Sequence, residues 1–199
     1  KATGKNALVK DWLQEFPATV DINDSPELQE TYPDTKKKGG RYVLRIPWDM
    51  VPAYLSSHPE YMSRDGWRNS EVARCSDTVR VFDALAGKMD ALLAEYGYVR
   101  EGDHYRVERE SRETVTFFCH FGVTCAMLAH LWNVSPFILW HSLALLPTSF
   151  TEVVTEERQK GIAYFRTLHV GDTSHLRMGG EEPSFACRFC EVYSDESRH

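Results

Sequence analysis

The amino-acid sequence predicts one domain of the α/β class, helices packed on a sheet, and three observations carry that expectation. Val72, Cys75, Val79, Phe82, Ala86, Met89, Leu93 and Tyr96 recur at alternating spacings of three and four, a helix face turned toward a core. Thr114-Val115-Thr116-Phe117-Phe118-Cys119 is β-branched, aromatic and apolar on both faces, the pattern of a central strand covered on two sides. That run passes through His120-Phe121-Gly122 straight into a second helical pattern. The 199 residues suffice for one such core and are too few for two comfortable ones.

Taken in order, residues 1–10 read as the end of a helix running into a strand. Residues 11–20 are a short apolar segment, Trp12-Leu13-Gln14-Glu15-Phe16, stopped by Pro17. Residues 21–40 are polar and carry Lys36-Lys37-Lys38, which reads as a solvated loop. Pro47 and Pro52 interrupt the apolar residues that follow, and 51–69 reads as short helical turns. A single helix is expected over 70–96, capped by Asn69 or Ser70 and ended by Gly97. Its stripe is under four heptads, so it belongs on a sheet rather than in a coiled coil. Residues 98–107 read as a hairpin around Gly102-Asp103, and 114–119 as the buried strand. Helix resumes over 123–132 with Val123, Met127, Leu128 and Leu131 on one side. Residues 148–155 and 162–169 form an antiparallel pair at the margin of the sheet, and 177–199 a loosely structured tail.

Net charge of −6 disfavours nucleic acid or an anionic membrane as partner, because both require a basic face. A small anion needs only a local cluster of donors. No apolar run approaches the roughly 20 residues that cross a bilayer, and no signal-peptide pattern opens the chain, which reads as soluble and cytoplasmic. Five cysteines without framework spacing read as reduced thiols. Cys187-Arg-Phe-Cys190 is formally a C-x-x-C pair, but no second pair accompanies it to make a zinc site. No G-x-S-x-G elbow, P-loop or dinucleotide glycine motif occurs.

The chemistry points to the turn at 120–122. A helix opening at a strand end offers unpaired N–H groups and a partial positive charge, which suits an oxyanion. Gly122 permits close backbone approach, and His120 donates hydrogen bonds and titrates near neutral pH. The local pattern equally allows a strand-end histidine that only caps backbone groups.

Cys119-His120-Phe121-Gly122-Val123, Leu128-Ala129-His130-Leu131, Pro136, Trp140-His141 and the closing Gly171-Asp172-Thr173-Ser174-His175-Leu176 together resemble the second half of the histidine phosphatase (phosphoglycerate mutase-like) superfamily, over about residues 13–176. The resemblance implies a three-layer α/β/α sandwich with a lid over about 21–69. It implies a metal-independent phosphatase without cofactor, acting on a small phosphomonoester. A histidine of an Arg-His-Gly motif takes the phosphoryl group, a second histidine and two arginines hold its oxygens, and a carboxylic acid protonates the leaving oxygen. His120 matches the second histidine. Phe121 stands where the family more often has glycine, with Gly122 retained, so 120–122 is the implied phosphate-binding turn. Leu13-Gln14-Glu15 resembles the family's Leu-x-Glu segment and makes Glu15 the implied proton donor, against the alternative of a surface carboxylate. Arg41, Arg45, Arg64, Arg68 and Arg74 lie in the lid segment as candidates for substrate contact, and Trp48 and Trp67 as pocket wall or core. His104 on the hairpin reads as solvent-facing, His130 and His141 as packing histidines, and His175 as a hydrogen-bonding brace for the C-terminal loop.

The departure is as informative. No Arg-His-Gly and no Ser-Pro-x-x-Arg occurs, and the one Arg-His pair is Arg198-His199. The chain is therefore expected to be the C-terminal portion of a phosphatase, lacking the catalytic strand and inactive alone. Its expected partners are a small phosphorylated substrate or inorganic phosphate, and a homodimer is one way to cover an incomplete sheet. The alternative is a non-catalytic phosphate-binding or dimerising module of the same fold.

Overall fold

A computed structural model describes residues 4, 6–32, 35–184, 192 and 194. Its organising backbone contact is short. Val20, fully buried, is bracketed by antiparallel bridges to Arg45 and Ser76. Its amide donates to the Arg45 carbonyl at 2.7 Å, and the next amide, Asp21, donates to the Cys75 carbonyl at 2.9 Å. Around this crossing lie α1 (Pro26–Thr31), the two-residue strands β1 (Lys37–Lys38) and β2 (Arg41–Tyr42), α2 (Pro52–Ser57), and 3-10 turns at Pro59–Met62 and Gly66–Asn69. The short turns agree with the sequence reading of 51–69. The polar loop expected over 21–40 instead contains α1, because Ser25 accepts from the Leu28 amide and Pro26 suits a first helical position. Leu28 and Thr31 bury its inner face. The lysine run is exposed on β1, with the Lys37 ammonium over the Tyr42 ring at 4.3 Å.

The single helix expected over 70–96 is two: α3 (Glu71–Arg74) and α4 (Thr78–Glu95). The break is a tertiary effect. The Cys75 carbonyl is taken by Asp21, and the Ser76 hydroxyl bonds the Val72 carbonyl at 2.6 Å and Thr78 Oγ1 at 2.7 Å. Ser70 caps α3 through the Ala73 amide. Gly97 follows α4 at φ +95°, where a Cβ would stand 2.3 Å from the Arg109 carbonyl oxygen, so glycine is required on both counts.

The larger sheet holds β3 (Tyr98–Glu101), β4 (His104–Val107), β5 (Phe150–Gln159) and β6 (Ile162–Asp172) in the order β3-β4-β6-β5, every pair antiparallel. The expected hairpin and the marginal pair are both present, with β5 at the edge. Tyr98 and Tyr105 pack edge-on against Phe165. Helix α5 (Phe121–Trp132) is followed by α6 (Pro136–Ser142), and α7 (Ser174–Met178) by Gly179. Asp90 of α4 joins these layers, accepting from the Tyr105 hydroxyl and pairing with His130 of α5, both at 2.8 Å. The fold is mixed α and β, as expected.

The central strand expected over 114–119 is not formed. The segment belongs to no ladder, and no backbone hydrogen bond joins its amides to other described residues. Phe118 is 86% exposed, and Phe117 is half-buried at the margin of the core, its ring 6.0 Å from Trp12. A strand apolar on both faces is stable between neighbours, and no described strand lies beside it. Residues 6–10 form neither helix nor strand, and 11–13 make a single 3-10 turn. Cys187, Cys190, Arg198 and His199 lie outside the described residues. No helix among those described is long and apolar enough to cross a membrane.

Hydrogen exchange checks the unpaired segment. Amides of 114–119 are expected to exchange with almost no protection while those of 125–131 in α5 are strongly protected; slow exchange at 114–119 would reveal a ladder and contradict this arrangement.

Candidate functional site

Helix α5 starts at Phe121, with His120 as its extended N-cap residue at φ −119° and ψ 174°. The His120 carbonyl accepts from the Thr124 amide at 3.1 Å and the Thr124 hydroxyl at 2.7 Å. Its ring makes no capping hydrogen bond and lies exposed. The first-turn amides therefore need another acceptor, and a distant one is supplied. Glu15 Oε1 accepts from the Val123 amide at 3.2 Å across a separation of 108 residues, and from the Phe16 amide at 2.7 Å. A carboxylate here both satisfies a donor and complements the helix dipole.

Gly122 makes that approach possible. A Cβ at this position would lie 2.8 Å from Glu15 Oε1 and 2.5 Å from the Trp48 ring. Trp48 itself packs edge-on against Phe121 at 5.9 Å and tilted against Trp140 at 5.5 Å. Phe16 lies 5.1 Å from Trp140, whose indole N–H donates to the Gly122 carbonyl at 3.0 Å. The turn is thus held between a carboxylate, two indoles and a phenyl ring drawn from three separate segments.

Of the residues singled out by sequence, the structure brings Glu15 together with Phe121 and Gly122, and leaves the His120 imidazole at the surface of the same turn. The five arginines singled out between 41 and 74 are engaged elsewhere. Arg41 pairs with Asp21 and Arg45 with Asp49, each at 3.5 Å. Arg64 clasps Asp103 through both guanidinium nitrogens, Arg68 pairs with Asp83 at 2.7 Å, and Arg74 with Glu71. Trp67 is core, edge-on to Phe82, whereas Trp48 is the aromatic that reaches the turn. Trp140 and the Val123 amide were not singled out for any role. Nothing periodic in the sequence links Phe16, Trp48 and Trp140, so their meeting has no sequence signal.

The other four histidines singled out sit in pairing or packing contacts. His130 pairs with Asp90, and His141 Nδ1 faces the Phe137 carbonyl at 2.8 Å with burial holding its pKa below the ordinary value. His104 lies 3.9 Å from Glu101, and the His175 ring beside Phe150 at 6.0 Å. The thiols near the turn are held protonated. Burial raises Cys119, whose sulfur lies 3.2 Å from the Thr124 hydroxyl, and pushes Cys125 up to about 12, with the Glu15 charge adding to it. Neither is a nucleophile in this state. Among the described residues no group of three or more His, Cys, Asp or Glu is placed to hold a metal ion. Compared with known proteins, the chain matches no family model, no curated protein and no solved structure.

Two outcomes follow from this packing. Gly122→Ala should cost about 1–3 kcal/mol of stability in urea unfolding, since the methyl must displace an indole or a carboxylate; a neutral result would mean the close approach is absent. Cys125 should resist iodoacetamide at pH 8 until the chain is unfolded, read by mass spectrometry.

Proposed function

We propose that this chain carries part of a phosphatase site that hydrolyses a small phosphomonoester through a phosphohistidine, within a three-layer α/β/α fold. The observation that supports it is the meeting of Glu15 with the 120–123 turn at the mouth of α5. In this reading the His120 imidazole and the Gly122 amide hold the phosphoryl oxygens, with Phe121 completing the turn and the helix dipole favouring their charge. Glu15 Oε1 is committed to two amides, which leaves Oε2 to carry the proton passed to the leaving oxygen. Fixed donors supply the charge stabilisation, so no metal enters the scheme. The nucleophile would be a histidine of Arg-His-Gly type, a motif these 199 residues do not contain. They should bind phosphate without turning substrate over. The free thiols of Cys75, Cys119 and Cys125 support a reducing, cytoplasmic setting.

A second reading, a non-catalytic phosphate-binding module, is favoured by the carboxylates that already occupy all five lid arginines. The two readings separate on chemical rescue. p-Nitrophenyl phosphate alone should release no p-nitrophenolate above the blank. Added imidazole, standing in for the nucleophile, should give release that saturates with substrate and is lost in His120→Ala. The module reading expects no release with imidazole either. Inorganic phosphate should move the amide resonances of residues 121–123, with affinity falling about tenfold in His120→Ala, the worth of one charge-assisted hydrogen bond. Turnover unaffected by His120→Ala, or a turn indifferent to phosphate, would overturn the assignment.

A further inference from the structure

One peptide unit, Gly122–Val123, is gripped at both ends by side chains from distant parts of the chain. Its carbonyl accepts from Trp140 Nε1 at 3.0 Å, and its N–H donates to Glu15 Oε1 at 3.2 Å. Trp140 is 2% exposed and is fixed by Phe137 at 5.2 Å as well as by Phe16 and Trp48, so its N–H has one direction in which to point. A buried indole N–H without a partner is costly, which makes this bond a fixture of the fold rather than an occasional contact.

We propose that Trp140 is a positioning residue for the turn, acting through the Gly122–Val123 amide on Glu15. Donation to the carbonyl fixes the peptide plane and polarises the amide, which strengthens its N–H as a donor to the carboxylate on the other side. Gly122 is what lets both approach, because a side chain there would collide with Trp48 and Glu15. Trp48 packs against the same backbone but offers no bond to it, so the two indoles divide the work into contact and orientation. The importance of this relay for catalysis rests on the phosphatase reading; the relay itself does not.

The test is spectroscopic and needs no substrate. Trp140→Phe keeps a ring in place and deletes the N–H. In the folded variant the Val123 amide proton should move upfield and the Glu15 carboxyl carbon should shift, while the Leu131 amide in the last turn of α5 stays put. Hydrogen bonds that share one peptide unit polarise each other in both directions, so Glu15→Gln should displace the Trp140 indole N–H resonance in an otherwise native chain. That second measurement decides the matter if Trp140→Phe does not fold. A folded Trp140→Phe with Val123 and Glu15 unmoved, or an indole resonance indifferent to Glu15→Gln, would reduce Trp140 to packing and overturn the proposal. A chain that shows the coupling but never binds phosphate would refute the phosphatase reading alone.

Discussion

The first turn of α5 presents amide donors that its own helix cannot satisfy, and the molecule answers with a carboxylate from far upstream. That single cap draws the 11–16 segment onto the helix and dictates what may surround it. Glu15 can reach the Val123 amide only where residue 122 has no side chain, and Trp48 uses the same clearance. Phe16, next to Glu15 in sequence, is thereby carried into the aromatic group around Trp140. Electrostatics at the helix end and close packing behind it are therefore one constraint, met by the same few residues.

A second polar junction works about two turns further along α5. Asp90 accepts from Tyr105 and pairs with His130, tying α4, the sheet and α5 at one carboxylate. Together with the backbone crossing at Val20, these ties use directional bonds where the apolar core alone would allow sliding. They leave the His120 face of the helix mouth exposed. An exposed imidazole beside oriented amides is a suitable arrangement for holding an oxyanion, and this is the physical content of the phosphatase reading. The five paired arginines show the limit of that arrangement, since none of them hydrogen-bonds the turn.

Much of the local structure was legible because its causes are local. The Gly102-Asp103 turn between alternating residues specifies the β3–β4 hairpin, and the apolar run after Gly122 specifies α5. The 150–172 pair follows from two β-rich runs joined by a short charged turn. Ser25-Pro26 carries a readable helix start that the surrounding polarity obscured. The break between α3 and α4 was not legible. The apolar stripe runs through Cys75 without interruption, and the carbonyl that leaves the helix there does so for Asp21, more than fifty positions earlier.

By itself the sequence determined the β3–β4 hairpin, the β5–β6 pair, most of α4 and α5, where Gly97 must end a helix, and that His120 stands at the mouth of α5, because dihedral preference and periodicity act over a few neighbouring residues. Tertiary structure alone decided that Glu15 caps that helix, that Trp140 holds the Gly122 carbonyl, and that residues 114–119 join no ladder. Each of these depends on a partner brought from far along the chain, and a hydrogen bond has no length in sequence, only in space.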